Sequence, residues 1–164
     1  MKNACRLIMI CLLALFVAAP LARAQGSSKQ GPGVIRDPDL EKDSMHNLEV
    51  ARHYFKVKKA YVAALQRCEE IIAGNPAFAK IDEVLFMAGE SSVNLADSKG
   101  KQSPSTYFIY EGSTKRTLKP EEFRELARGY LSQLVNDYPD SRFKAAGLED
   151  LKSLGGPKAK GSEQ

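Results

Sequence analysis

Residues 61–76, YVAALQRCEEIIAGNP, and residues 124–139, RELARGYLSQLVNDYP, decide the fold of this chain. When the two stretches are aligned, a small residue, two apolar residues and a proline coincide. The aligned pairs are Ala64 with Ala127, Cys68 with Leu131, Ile71 with Leu134, and Pro76 with Pro139. Spacings of three and four residues indicate one face of a helix, so the chain contains a repeated helix that ends at a proline.

This pattern resembles the second helix of a tetratricopeptide repeat, a pair of helices that stacks on its neighbours. The small residue allows the paired helix to approach closely, and the proline ends the helix. The usual period of the repeat is about 34 residues, whereas the two stretches are offset by 63 residues. The difference indicates an insert within the second unit, between its two helices.

Apolar or small residues recur at helical spacing in four segments, each of which predicts an amphipathic helix. A fifth helix is predicted from Ser141 as its N-cap and Gly155 as its stop. The predicted helices are Asp43–Lys56, Ala60–Ala73, Ala79–Ala96, Pro120–Asp137 and Ser141–Leu154. We therefore predict an all-α fold, a short tetratricopeptide-like helical-repeat solenoid of about five helices in two and a half repeats, over residues 40–154.

The insert corresponds to residues 98–118, which contain Gly100, Pro104 and Gly112. Its apolar run Thr106–Tyr110 is short enough to be a strand or a packed loop. No convincing strand alternation occurs elsewhere, so the sequence predicts a long, partly ordered loop. Loops of this length in a compact domain are usually functional or disordered.

The ends of the chain have a different composition. Residues 1–24 combine a basic start, an apolar run over residues 7–19 and the sequence Ala-Arg-Ala, which predicts a cleaved signal peptide and export to the periplasm. The run is too short to span a bilayer, and Cys5 and Cys11 are misplaced for a lipid anchor. We expect residues 25–39 to be a flexible leader and residues 155–164 a disordered tail. Cleavage would lower the net charge from +4 to about +1.

The mature sequence shows no catalytic constellation. Cys68 lies on an apolar stripe, where a free cysteine behaves as a small buried hydrophobe. No phosphate-binding loop or serine-nucleophile motif is present. The basic run 56–59, Lys-Val-Lys-Lys, is followed by Glu69 and Glu70 and is typical of a solvated helix end. We therefore predict a non-enzymatic protein without cofactors that does not bind nucleic acid.

Four polar residues of the first helix are candidate contacts to a protein partner, namely His46, Glu49, His53 and Lys56. Steps of three and four residues place them on one face, away from the apolar stripe. In the repeat, the first helix of each pair lines the groove that binds partners. One alternative is a solvated polar face that binds nothing. The other is a metal site, but seven residues separate the two histidines by about 10 Å along the axis.

Two longer stretches resemble BamD, the tetratricopeptide protein of the outer-membrane β-barrel assembly machine. They are residues 75–89, NPAFAKIDEVLFMAG, and residues 130–141, YLSQLVNDYPDS, with the insert between them. The resemblance implies an adaptor at the inner face of the outer membrane that binds the barrel insertase or nascent outer-membrane proteins. The family is anchored by a lipid, whereas the positions of Cys5 and Cys11 predict no lipid anchor here. Peripheral association with the membrane is compatible with this role.

Two alternative functions remain open at this stage. A periplasmic repeat protein of this kind could organise another envelope process, related to peptidoglycan or to the Tol-Pal system. The alternative of another class is a metal-dependent enzyme that uses the histidines of the first helix.

Overall fold

A computed structural model describes residues 36–159 of the chain. The predicted signal peptide 1–24 and most of the predicted leader 25–39 lie outside the described residues. The described part is mostly helical and contains a small two-stranded sheet. Its α-helices are α1 (Pro38–Arg52), α2 (Tyr61–Gly74), α3 (Ile81–Ala96), α4 (Pro120–Asp137) and α5 (Lys144–Ser153), and its strands are β1 (Phe108–Glu111) and β2 (Thr114–Thr117).

Helix α1 begins inside the segment that the sequence predicts to be a flexible leader. The carboxylate of Asp37 accepts hydrogen bonds from the backbone N–H groups of Asp39 and Leu40. Pro38 occupies the first helical position, where its missing N–H costs nothing. The prediction is therefore wrong for residues 38 and 39, because Asp37 and Pro38 together form a helix start.

The other end of α1 is also extended. The helix passes into a π-helix, His53–Lys58, which ends at Lys59 in the left-handed conformation with φ of 52°. The six-residue π-helix widens the turn before α2 begins at Tyr61. Two of the candidate partner contacts, His53 and Lys56, consequently lie on the π-helix rather than on α1.

The repeated stretch supplies the centre of the core. Consecutive α-helices pack against one another in chain order, and the aligned small and apolar residues of both stretches are buried. Gly89 of α3 lies so close to α4 that an added Cβ would be 2.6 Å from the Leu131 side chain. The buried members of the two aligned sets are Ala64, Cys68 and Ile71 in α2 and Ala127, Leu131 and Leu134 in α4.

The insert contains a β-hairpin, so the expectation of an all-α chain is wrong in this segment. Strands β1 and β2 are antiparallel and pair Phe108 with Thr117. Gly112 has φ of 60°, which suits the first central position of a tight hairpin turn. Along β1, Phe108 and Tyr110 are exposed while Ile109 packs against the core. The alternation is real, but a strand of four residues is too short to show it convincingly in the sequence.

The insert is held against α2 at several points. The backbone N–H of Lys101 donates to the carbonyl of Lys59 at 2.8 Å. The side-chain carbonyl of Gln102 accepts from the N–H of Ala63, in the first turn of α2. The phenol of Tyr107 donates to the Glu69 carboxylate at 2.7 Å. These contacts order the segment against the helices.

The chain after α5 turns back onto α4. The guanidinium of Arg128 donates to the carbonyl of Gly156, and the N–H of Lys158 donates to the Ser132 hydroxyl. The structure therefore differs from the expected disordered tail up to residue 159, because α4 provides polar partners for that backbone. Within residues 36–159, no helix is both long enough and apolar enough to cross a membrane.

Candidate functional site

The four candidate partner contacts are exposed side chains. His46 and Glu49 lie on α1, and His53 and Lys56 lie on the π-helix that follows it. Within residues 36–159, none of the four side chains forms a hydrogen bond or an ion pair. The fold therefore leaves all four available to a binding partner.

These residues are not arranged as a metal site. His46 and His53 are separated by about two helical turns. Among residues 36–159, no three histidine, cysteine, aspartate or glutamate side chains come close enough to hold an ion together.

A buried glutamate connects this part of α1 to the later helices. The guanidinium of Arg52 donates two hydrogen bonds of 2.7 Å to the carboxylate of Glu83 on α3. Arg142, just before α5, lies 3.4 Å from the same carboxylate. Burial alone would raise the pKa of Glu83, but the hydrogen bonds from Arg52 and the nearby positive charges hold it below its ordinary value. The ion pairs thus fix the spacing of α1, α3 and the start of α5.

An aromatic pair lies next to this glutamate. Phe86 is one helical turn after Glu83 on α3, and its ring stacks on Phe143 with centroids 5.0 Å apart. The Arg142 guanidinium lies 4.6 Å from the centroid of Phe143. Both rings are only partly buried. Aromatic and arginine side chains are enriched at protein interfaces.

Glu90 lies on the same face of α3, one helical turn after Phe86. Burial, followed by the neighbouring carboxyl of Asp150 on α5, raises the pKa of Glu90 to about 7. A carboxyl group with this pKa is partly protonated near neutral pH, so Glu90 can donate a hydrogen bond to the Asp150 side chain.

Sequence reasoning missed the α3 residues of this site, although the signal was present. Glu83, Phe86 and Glu90 repeat the steps of three and four residues that identify His46, Glu49 and His53 on the first helix. Arg52 was a second signal. In the tetratricopeptide pattern that the sequence resembles, a small residue is common at this position, and here the guanidinium donates to the Glu83 carboxylate.

The thiol of Cys68 is not part of this site. It is fully buried in the core, and burial raises its pKa well above the ordinary value. A thiol that stays protonated is a poor nucleophile, so the prediction that Cys68 is a buried hydrophobe is confirmed.

Glu69, the next residue, accepts hydrogen bonds from the phenols of Tyr107 and Tyr130. Burial raises the pKa of Glu69, while the two phenol donors act in the opposite direction. This cluster joins the insert to α2 and α4 and has a structural role.

Comparison with known proteins gives no relative from which a role could be transferred: no family model, no curated protein and no solved structure matches the chain. The site must therefore be interpreted from its own geometry.

Proposed function

We propose that this protein is a non-enzymatic adaptor that binds other proteins through the face formed by α1, its π-helix and α3. The observation that carries the proposal is the set of four exposed polar side chains, none of which forms a hydrogen bond or an ion pair within residues 36–159. A polar side chain that the fold does not use is available for recognition. The ion pair of Arg52 with Glu83 holds α1 in a fixed position, so the surface needs little reordering when a partner binds.

The helix order supports a repeat architecture. In this proposal, α1 with α2 and α3 with α4 are two tetratricopeptide-like units, and α5 begins a third. The β-hairpin is an insertion within the second unit. Helix pairs stacked in this way present an extended surface that suits protein binding.

The proposed location is the periplasm, to which residues 1–24 would direct export of the chain. The resemblance to BamD suggests the partner: the barrel insertase of the outer membrane, or the nascent outer-membrane proteins delivered to it. The test is affinity purification of the tagged protein from envelope extracts, followed by mass spectrometry. Recovery of the barrel insertase supports the proposal. Recovery of peptidoglycan-associated or Tol-Pal proteins instead would contradict it and support that alternative role.

Charge reversal on the proposed face provides a direct test. Replacing Glu49 by Arg, or His53 by Asp, should weaken binding of the recovered partner by about tenfold, because a rim charge of the wrong sign repels its counterpart. The far-UV circular dichroism should not change, since both side chains are exposed.

The matched control is Glu70→Arg, a charge reversal at an exposed position of α2. It should leave partner binding unchanged. Equal weakening by the control and by Glu49→Arg would assign the effect to net charge and would overturn the proposed face.

A further inference from the structure

The turn between α1 and α2 projects basic and apolar side chains into solvent. Lys58 ends the π-helix and Lys59 follows it in the left-handed conformation, and both are exposed. Val57, beside them, is 63% exposed. The stretch from residue 52 to residue 60 contains no acidic residue. In the sequence this run is a solvated helix end, but the fold adds a second basic segment to it.

The second segment is the start of the insert. The N–H of Lys101 donates to the carbonyl of Lys59 at 2.8 Å, which places the exposed residues Lys99 and Lys101 beside the turn. The neighbouring acid, Asp97, is already paired with Lys99 and Arg124. Within the described residues, no ion pair involves Lys58, Lys59 or Lys101. We call these three side chains, together with Lys99 and Val57, the lysine patch.

We propose that the lysine patch docks on the surface of an anionic lipid bilayer. In this arrangement, the lysines lie over the headgroups and Val57 enters the boundary of the acyl region. The charge is complementary, since anionic headgroups attract clustered lysines. An apolar side chain at the tip of a basic surface adds burial that a purely electrostatic contact lacks.

The residue types favour a lipid surface over a protein partner. Lysine is depleted at protein interfaces, where arginine and aromatic residues are enriched. The lysine patch contains neither type, whereas the face around Phe86 and Phe143 contains both. The lysine patch shares the end of the π-helix, Val57 and Lys58, with the proposed protein-binding face, but the lipid proposal rests on its residue types and does not depend on the proposed protein partner.

The test is binding to vesicles of phosphatidylcholine alone or mixed with phosphatidylglycerol, measured by flotation. The protein is purified from the soluble fraction of cells that export it, with whatever processing those cells have carried out. We expect binding to the mixed vesicles only, with release at high salt because the contact is electrostatic. The double variant Lys58→Gln/Lys101→Gln should lower the partition coefficient by about 25-fold, at about fivefold per lysine. Val57→Ser should lower it by about tenfold.

The matched control is Lys42→Gln/Lys152→Gln, which removes the same charge from exposed positions of α1 and α5. It should bind vesicles like the unaltered protein. Equal binding to both kinds of vesicle, or equal loss in the control, would overturn the proposal. Binding to poly-glutamate as tight as that to mixed vesicles, and insensitive to Val57→Ser, would assign the lysine patch to acidic proteins instead. Circular dichroism of each variant excludes unfolding as the cause of a loss.

Discussion

At the scale of single residues, Gly100 shows how closely the insert approaches α2. Its φ of 93° lies in a region that favours glycine. A Cβ at this position would be 2.5 Å from the ring of Tyr61 and 2.6 Å from the carbonyl oxygen of Lys59. The position therefore combines a backbone requirement with a lack of space.

Replacing Gly100 by alanine should lower the free energy of unfolding by about 2–3 kcal/mol, because strain and overpacking act together. Chemical denaturation measures the change. The control is Gly112→Ala, which has φ of 60° but no atom within 4 Å of the added Cβ. This variant should lower the free energy of unfolding by about 1–2 kcal/mol, from backbone strain alone. A smaller loss at Gly100 than at Gly112 would contradict the close approach of the insert.

Glu90 predicts a pH dependence at the same scale. Its pKa of about 7 in the folded protein lies above the ordinary 4.5, so the folded state binds the proton more tightly than the unfolded chain does. Its contribution to stability is complete below the ordinary value and is lost as the pH rises through about 7.

The variant Glu90→Gln should therefore stabilise the protein by about 1 kcal/mol near pH 8 and by little near pH 5, with solvent screening of a half-buried group taken into account. Urea denaturation at the two pH values measures the difference. Glu149→Gln removes an exposed carboxyl of α5 and controls for the substitution itself, with an expected change within about 0.5 kcal/mol. A gain for Glu90→Gln that is the same at both pH values would contradict the raised pKa.

At the scale of elements, the helices could be predicted from the sequence but the hairpin could not. Helical spacing persists over several turns in the first four helices, and α4 has the predicted bounds, Pro120–Asp137. Strand β1 has four residues, too few for alternation to stand out. The docking of the insert was also hidden, since Gln102 and its partner Ala63 are 39 residues apart in the chain. A contact of this kind leaves no periodic signal.

Tyr107 is the side chain that anchors the hairpin. Replacing it by phenylalanine keeps the ring beside Phe123 but removes a hydrogen bond to the mostly buried carboxylate of Glu69. We expect a loss of about 1–2 kcal/mol, since Glu69 keeps a single phenol donor, from Tyr130. Thermal or urea unfolding measures it.

The control for this variant is Tyr110→Phe, at a ring that is 66% exposed. Its effect should stay within about 0.5 kcal/mol. If both variants had the same small effect, the Glu69 cluster would not anchor the insert.

At the scale of the molecule, the contacts between elements predict a single cooperative transition for the described part. The insert joins α2 to α4 through Glu69, and Glu83 joins α1 to α3 and the start of α5. If α1 and α2 unfolded alone, or α3 and α4 alone, these shared contacts would be lost. Helicity measured by circular dichroism and tyrosine fluorescence should therefore change at the same urea concentration. A fluorescence transition that precedes the loss of helicity would mean that the insert detaches first.

The contact between Gln102 and Ala63 also has a consequence for the order in which the protein is made. The first turn of α2 has no side-chain cap from its own flanking residue, Ala60, and receives one from a residue 39 positions later. A ribosome must therefore add the whole of α3 before the start of α2 can be completed. During synthesis α1 and α2 emerge while the start of α2 still lacks its side-chain cap, and Gln102 supplies the cap once the insert has been made.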